Sequence, residues 1–277
     1  MTELFAVPNV SEGRDAVAIE AVGAAFAGAP GVRLLDVHAD ADHHRSVYWL
    51  AGGPGELAEA LVRGAREAAA RIDLREPRGI HPHVGVLDVA PVVFLDAERR
   101  GAACAEALLT AARIGEEAEL PVYLYGALAG GRTRAELRAG GLAGLRARGT
   151  PPDFGPPKLD QTRGAVLVGA RPPLIAFNLE IEGSLDDARR IATEVRAELP
   201  SVRTLGLWLQ GPGVAQVSCN VEDPATVPLR RLLEAVARRA PVREAELVGL
   251  APRAAFDGWP DDVAVRNRRT LEDLLGR

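Results

Sequence analysis

The chain has 277 residues, of which 47% are hydrophobic and 26% charged, so it can bury a sizeable core in one large or two smaller domains. Its formal net charge of -5 argues against a nucleic-acid binder, which normally carries a basic excess. Two cysteines are too few for a disulfide framework, the start does not resemble a signal peptide, and no apolar run of about 18 residues occurs. These features predict a cytoplasmic protein with neither a membrane nor a nucleic-acid partner.

Hydrophobic periodicity predicts a β-α-β-β-α-β order in the first part of the chain. The predicted elements are a strand at Leu4–Val7, a helix at Asp15–Phe26, strands at Val32–Val37 and Ser46–Ala51, a helix at Gly55–Ile72 and a buried strand at Val86–Leu95. A helix at Ala102–Leu120, a strand at Val122–Tyr125 and short Gly-broken helices within Arg134–Arg146 extend this unit.

The same order recurs after an irregular, Pro-rich stretch from Thr150 to Gln161. The predicted elements are strands at Leu174–Ile181, Val202–Leu209, Val214–Asn220 and Ala245–Leu250, with helices at Leu185–Leu199 and Val227–Arg239. The expected fold is α/β of the α+β type, with split βαββαβ subdomains at residues 1–177 and 178–277. Each has a mostly antiparallel sheet with helices on one face, and a ligand cleft is expected between them.

All five histidines lie in the first third of the chain. His38, His43 and His44 are predicted in the loop after one strand, and His81 and His83 in the loop Gly79–Asp88 before another. If the loops meet, an imidazole cluster results that suits acid-base chemistry or a metal. Pro82 disturbs the register that a metal site would need, and ordinary surface histidines are the commoner occurrence.

Ten short blocks follow one another in a fixed order along nearly the whole chain. They are Val7–Arg14, Leu34–Asp36, Arg45–Tyr48, Ile72–Arg75, Gly79 with His81-Pro82, Pro121–Gly126, Pro152–Pro156, Val168–Arg171, Ala215–Ser218 and Leu247–Leu250. Together they resemble the formiminotransferase domain of glutamate formimidoyltransferase. The resemblance implies two α/β subdomains with a cleft between them, a homodimer, and the transferase part alone without a cyclodeaminase domain.

The resemblance also implies an activity in histidine degradation and one-carbon metabolism. The family moves a formimino group from N-formimino-L-glutamate to N5 of tetrahydrofolate, its co-substrate. N5 attacks the amidine carbon and glutamate leaves through its nitrogen, so one proton must leave N5 and one must reach the departing amine. A histidine titrating near neutrality can move both protons.

The match assigns expected roles to individual residues. The catalytic histidine falls on His81, and no metal ligands are expected. Apart from the match, acids alternate with imidazoles in Leu34–Ser46 and His83 lies in the second histidine loop, so the substrate site is expected to be lined by Asp36, His38, His44, Arg45 and His83. The folate-binding segment falls on Gly155, Pro156, Pro157, Lys158, Leu159, Asp160, Gln161, Thr162, Arg163 and Gly164. Lys158 and Arg163 are expected to meet the carboxylates of the folate tail.

Three residues depart from the family pattern beside the expected chemistry. Ile80 stands where the family usually has Glu, His44 where it usually has Asn, and His83 where relatives commonly carry Arg. These departures leave the one-carbon donor open, because a formyl or related donor is compatible with the changed charges. The alternatives are a metal-dependent hydrolase using the histidine cluster and a catalytically weak folate-binding protein with altered donor specificity.

Overall fold

The computed structural model describes residues 3–75 and 79–276. The chain divides into two compact units, Met1–Pro172 and Pro173–Arg277. Each unit is built on one sheet, in agreement with the predicted fold class. None of the helices in the described part of the chain has the length and apolar character of a membrane-spanning segment.

The first unit contains a seven-stranded sheet. Its elements are β1 (Leu4–Ala6), β2 (Asn9–Val10), α1 (Ala16–Ala27), β3 (Arg33–Asp40), β4 (Arg45–Gly52), α2 (Glu56–Arg71), β5 (Leu87–Val93), α3 (Arg100–Glu117), β6 (Val122–Leu124), α4 (Arg134–Arg138), α5 (Gly141–Arg148) and β7 (Val166–Arg171). β1 and β2 lie between β4 and β5, and β3 pairs with the other side of β4, all antiparallel. β7 lies between β5 and β6 and pairs with both of them in parallel.

The helices α1, α2 and α3 cover one face of this sheet because their apolar residues recur at helical spacing. Val22, Phe26, Leu57, Leu61 and Ile114 join buried residues of β1, β4, β5, β6 and β7 in one core. In addition, α4 and α5 lie on the opposite face, where their Leu137 and Leu145 pack with Tyr123 and Leu167. The rest of that opposite face carries the polar residues described below.

The second unit is a five-stranded sheet in the order β12-β11-β8-β10-β9. Its elements are β8 (Ile175–Ile181), α6 (Leu185–Glu198), β9 (Val202–Leu209), β10 (Val214–Val221), α7 (Leu229–Ala237), β11 (Val242–Val248), β12 (Val265–Arg266) and α8 (Leu271–Leu275). The four strands β8 to β11 pair antiparallel, as a split βαββαβ unit requires. The predicted division after residue 177 falls inside β8.

The structure corrects one placement and adds four elements. His38 lies in strand β3 and not in the loop after it, because β3 continues to Asp40. This part of β3 is polar. As an edge strand that pairs with β4 on one side, β3 tolerates charged residues, so its sequence lacks the hydrophobic pattern by which strands are predicted. The elements that were not predicted are β2, β7, β12 and α8, of which all but β7 are short.

Candidate active site

Three backbone segments of the first unit meet at the ends of its strands: the loop after β2, the turn between β3 and β4, and the loop before β5. Glycine permits their close approach. A Cβ atom on Gly13 would lie 2.1 Å from the carbonyl oxygen of Asp40, and one on Gly79 would lie 2.4 Å from the carbonyl oxygen of His43. The histidine loops that the sequence suggested could meet are therefore in contact.

His81 is the imidazole at the centre of this junction. Its ring centroid lies 6.3 Å from that of His43. Its Nδ1 lies 3.0 Å from Nη1 of Arg45 and 2.8 Å from the carbonyl oxygen of Pro82. Nδ1 either accepts from the guanidinium or donates to the carbonyl, because it carries either a lone pair or a hydrogen. The first choice leaves hydrogen on Nε2, and the second leaves Nε2 as a free base.

Arg45 is held on three sides at the start of β4. Its Nε donates to Oδ1 of Asn9 at 2.9 Å and its Nη2 to Oδ2 of Asp88 at 2.7 Å, while Nη1 faces His81. Asn9 pairs with Val47 and Val89 on the neighbouring strands, so its side chain lies on the sheet face away from α1 to α3. The guanidinium is therefore fixed before any ligand binds.

A β-bulge aims Asp88 into the same network. Asn9 pairs with Val89 and Val10 with Leu87, so Asp88 is the extra residue of β5. A bulge re-aims one side chain without ending the strand, and bulges are common beside active sites. Asp88 is completely buried.

The carboxylate of Asp88 accepts three hydrogen bonds. Oδ1 accepts from the backbone N–H of Val84 at 2.7 Å, and Oδ2 accepts from Arg45 at 2.7 Å and from Nη2 of Arg138 at 2.5 Å. Burial alone would raise the pKa of Asp88, but the charges of Arg138 and Arg45 and the bond from Val84 hold it well below its ordinary value. Asp88 is therefore ionised at neutral pH.

Local interactions position Arg138 at the last residue of α4. Thr133 begins this helix with a capping box, and Arg148 donates to the carbonyl oxygens of Leu137 and Ala139 at its end. Both ends of a short helix are thus satisfied by side chains, which is what an isolated helix of five residues requires. The side chain of Arg138 is 12% exposed.

The network sets the protonation state of its histidines. Burial and the positive charges of Arg45 and Arg138 lower the pKa of His81 well below its ordinary value, although Asp88 opposes the shift. Burial is also the main reason that the pKa of His83 is lowered. The sequence suggested an imidazole titrating near neutrality, whereas the structure makes His81 neutral at pH 7.

The segment Gly155–Gly164 is hydrogen-bonded to the chain just after His81. The backbone N–H of Val86 donates to the carbonyl of Arg163 at 3.0 Å, and that of Ala165 donates to the carbonyl of Val84 at 2.9 Å. The end of the predicted folate segment is thereby joined to the loop that carries the predicted catalytic histidine.

A pocket of about 310 Å³ lies beside the middle of this segment, at the lower end of the size range for small-molecule sites. Lys158 in its wall is exposed. The pocket is lined by Tyr123, Leu145, Arg146, Gly149, Thr150, Pro151, Pro157, Lys158 and Leu159. Its two cationic side chains suit an anionic group.

Potential metal ligands and the thiol of Cys219 lie within the described residues. Among residues 3–75 and 79–276, no three His, Cys, Asp or Glu side chains are grouped so as to hold a metal ion. Cys219 is buried in β10, and burial raises the pKa of its thiol, so it is not a ready nucleophile.

Comparisons with known proteins identify the family. The family model for the formiminotransferase domain, N-terminal subdomain, matches residues 4–171, and the model for the formiminotransferase domain matches residues 176–257. The chain belongs to the formiminotransferase-domain family. This confirms the resemblance seen in the ordered sequence blocks.

Several known proteins are similar to this chain along most of its length. A formimidoyltransferase-cyclodeaminase of Gallus gallus is 37% identical over 271 residues, which are 90% of this chain and 50% of that protein. Glutamate formimidoyltransferases of Streptococcus pyogenes serotype M1 and Thermoplasma acidophilum are each 33% identical over 89% and 90% of their own lengths. The chain therefore spans about half the length of the first relative and most of the other two. Membership of this family does not favour the metal-dependent hydrolase.

The structure gives a physical account of one departure from the formiminotransferase pattern. His44 has a left-handed backbone with φ of 51°, a conformation in which Asn, Asp and His are all enriched among non-glycine residues. Its Nδ1 lies 3.3 Å from Oε1 of Glu12. A His at the position where the resemblance leads us to expect Asn keeps this turn conformation and places an imidazole against an acid. Ile80 is partly exposed, and its backbone N–H donates to the carbonyl of Asp42.

The predicted lining residues fall into two groups. Arg45 contacts His81 directly, and His44 and His83 lie in the segments that meet around it. Asp36 and His38 instead lie along β3, on the same sheet face as Asp40, with Asp36 roughly 13 Å along the strand from Asp40. The second group therefore extends away from the junction along an edge strand.

Sequence reasoning missed Asp88, Arg138 and Asn9 as members of the network. Asp88 had a usable signal, because a charged residue inside an otherwise apolar buried strand requires a partner. Asn9 lay within a matched block without a role. Arg138 had no local signal, since it reaches Asp88 from 50 residues away.

Proposed function

We propose that this protein is a glutamate formimidoyltransferase, which transfers the formimino group of N-formimino-L-glutamate to N5 of tetrahydrofolate in histidine degradation. Family membership supports this reaction class, and tetrahydrofolate is its co-substrate. The observation that carries the proposal is His81, a neutral imidazole held against the fixed guanidinium of Arg45. We further propose that the protein acts in the cytoplasm as a homodimer.

His81 is proposed as the proton carrier. When Nδ1 donates to the carbonyl of Pro82, Nε2 is a free base that can take the proton from N5 after N5 attacks the amidine carbon. The imidazolium then returns this proton to the nitrogen of glutamate as it leaves. Because burial and the charges of Arg45 and Arg138 disfavour the imidazolium, it is a stronger acid than an ordinary histidine, which assists the second step.

Gly155–Gly164 is proposed as the folate segment. Its last residues are fixed by the bonds to the 84–86 stretch, whereas Lys158 is exposed and lies in the wall of a pocket. A fixed segment with an exposed cation can receive a carboxylate of the folate tail at small entropic cost. His44, Arg45 and His83 are proposed to line the donor site, with Asp36 and His38 further along β3.

The test is a transfer assay with tetrahydrofolate and N-formimino-L-glutamate on the wild type and on His81→Ala. We expect the variant to lose roughly 10²- to 10⁴-fold in turnover, while calorimetry still detects folate binding. Added imidazole should restore part of the lost activity, because the missing group is a proton carrier. Full activity of His81→Ala would refute the assigned role.

A panel of formimino and formyl amino acids tests the donor. Transfer from formiminoglutamate alone supports the proposed reaction. Transfer from a formyl donor alone would show that Ile80, His44 and His83 have changed the specificity. Folate binding without transfer from any donor would identify a folate-binding protein.

A further inference from the structure

The network around Asp88 contains more positive than negative charge. Two guanidiniums, those of Arg45 and Arg138, share a single carboxylate oxygen. Arg45 donates through Nε to Asn9 and through Nη2 to Asp88, and its Nη1 faces His81. In contrast, Nε of Arg138 is buried and has no hydrogen-bond partner in the part of the chain that the structure describes.

A buried, partly unsatisfied guanidinium is costly unless an anion completes its hydrogen bonds. Burial lowers the pKa of Arg138, and the charges of Arg45 and Arg134 lower it further, although Asp88 opposes this shift. Arginine stays protonated in proteins at neutral pH, so the positive charge remains. The side chain of Arg138 keeps 12% of its surface exposed, so a ligand carboxylate can approach the guanidinium there and offset the excess positive charge, although Nε itself stays covered.

We propose that Arg138 determines donor specificity by binding one carboxylate of the amino-acid donor. This inference rests on the proposed function and names the recognition of that substrate. Arg138 and Arg45 bind the same oxygen of Asp88, and Arg45 contacts His81, so the anchor lies beside the proton carrier.

The chemistry of the two substrates distinguishes which carboxylate is bound. The carboxylates of tetrahydrofolate lie at the far end of its tail, away from the reacting N5. Those of the donor lie on the amino acid whose nitrogen carries the transferred group. A cation next to the proton carrier is therefore placed for the donor, while Lys158 remains the candidate for the folate tail.

The experiment measures kcat and KM for N-formimino-L-glutamate and for its α-amide and γ-amide, with tetrahydrofolate saturating. The wild type should prefer the diacid over at least one amide. In Arg138→Gln, KM for the diacid should rise roughly 10- to 100-fold, as expected for loss of a hydrogen bond to a charged group. Its preference over that amide should disappear, with KM for tetrahydrofolate nearly unchanged.

Two variants separate recognition from structure. Arg138→Lys keeps the charge and should recover part of the preference. Arg134→Gln removes a charge one turn earlier on α4 and should keep the full preference. A merely structural Arg138 would lower the folded fraction and turnover without changing the ratio between diacid and amide. Retention of the ratio in Arg138→Gln, or its equal loss in Arg134→Gln, would overturn the inference.

Direct binding distinguishes this failure from failure of the proposed reaction. Calorimetry of L-glutamate, the leaving product, with the folate-loaded protein does not require turnover. Weaker glutamate binding in Arg138→Gln supports the anchor even if no formimino transfer occurs. Equal glutamate binding by both proteins contradicts the anchor even if transfer is observed.

Discussion

Asp88→Asn tests whether the carboxylate on the β5 bulge holds the site together. Asparagine keeps the shape and can still accept from Val84, but it loses the charge opposite Arg45 and Arg138. Two charge-assisted hydrogen bonds in a fully buried position are removed, and two guanidiniums lose their counter-ion. We expect the free energy of unfolding of the first unit to fall by about 3–5 kcal/mol at pH 7.

The assay is urea unfolding followed by fluorescence. Trp49 lies in the first unit, whereas Trp208 and Trp259 lie in the second. Replacing the latter two by Phe in all proteins compared makes the signal report on the first unit alone. This precaution matters because two units need not unfold in one step.

The matched control is Glu67→Gln, which removes an acid from an exposed i,i+4 pair with Arg71 on α2. Such pairs contribute about 0–1 kcal/mol. The Asp88 carboxylate has a lowered pKa in the folded state, so its contribution is full above the ordinary pKa of about 3.9 and declines as the pH falls below it. This role of Asp88 would be refuted if Asp88→Asn lowered the free energy of unfolding no more than Glu67→Gln does. It would also be refuted if the difference in that free energy between wild type and Asp88→Asn did not shrink in acid.

Three further predictions concern the same unit. Because the pKa of His81 is lowered, the acidic limb of kcat/KM should lie below pH 6.5, and a pH-rate profile with a midpoint above that value contradicts it. Lys158→Gln should weaken tetrahydrofolate binding, measured by calorimetry, by several-fold, which is roughly the effect of losing one exposed charged contact. Its kcat should not change. Gly79→Ala should displace the turn that carries His43, since its Cβ would lie 2.4 Å from a carbonyl oxygen. We expect lower turnover and a lower thermal unfolding temperature, and wild-type values for both would contradict the close approach.

The fold was largely accessible from the sequence, because its strands and helices carry clear apolar periodicity. Val202–Leu209 was predicted with the bounds that the structure has. The apolar residues at helical spacing on α6, Ala188, Ile191, Ala192 and Val195, are buried. β7 was missed because its apolar run follows the irregular Pro-rich stretch, and only pairing with β5 and β6 reveals it as a strand.

The site was accessible only in part. The meeting of the histidine loops could be anticipated from residue type and position, and His81 and Arg45 do contact each other. The role of Asp88 depends on a one-residue bulge, and register is a tertiary property that periodicity does not contain. Arg138 belongs to the site through the placement of α4, which no local pattern specifies.

The polar network also affects how the first unit folds. Its partners are far apart in the sequence: Arg45 and His81 by 36 residues, Arg45 and Asp88 by 43, and Asp88 and Arg138 by 50. Long loops must close before such contacts form, so we expect the network to assemble after the local β3–β4 hairpin, in which Asp40 pairs with Arg45. We expect Asp88 to stay hydrated until α4 docks and brings Arg138 to its carboxylate. Docking of this five-residue helix would then remove water from two groups that are already ionised.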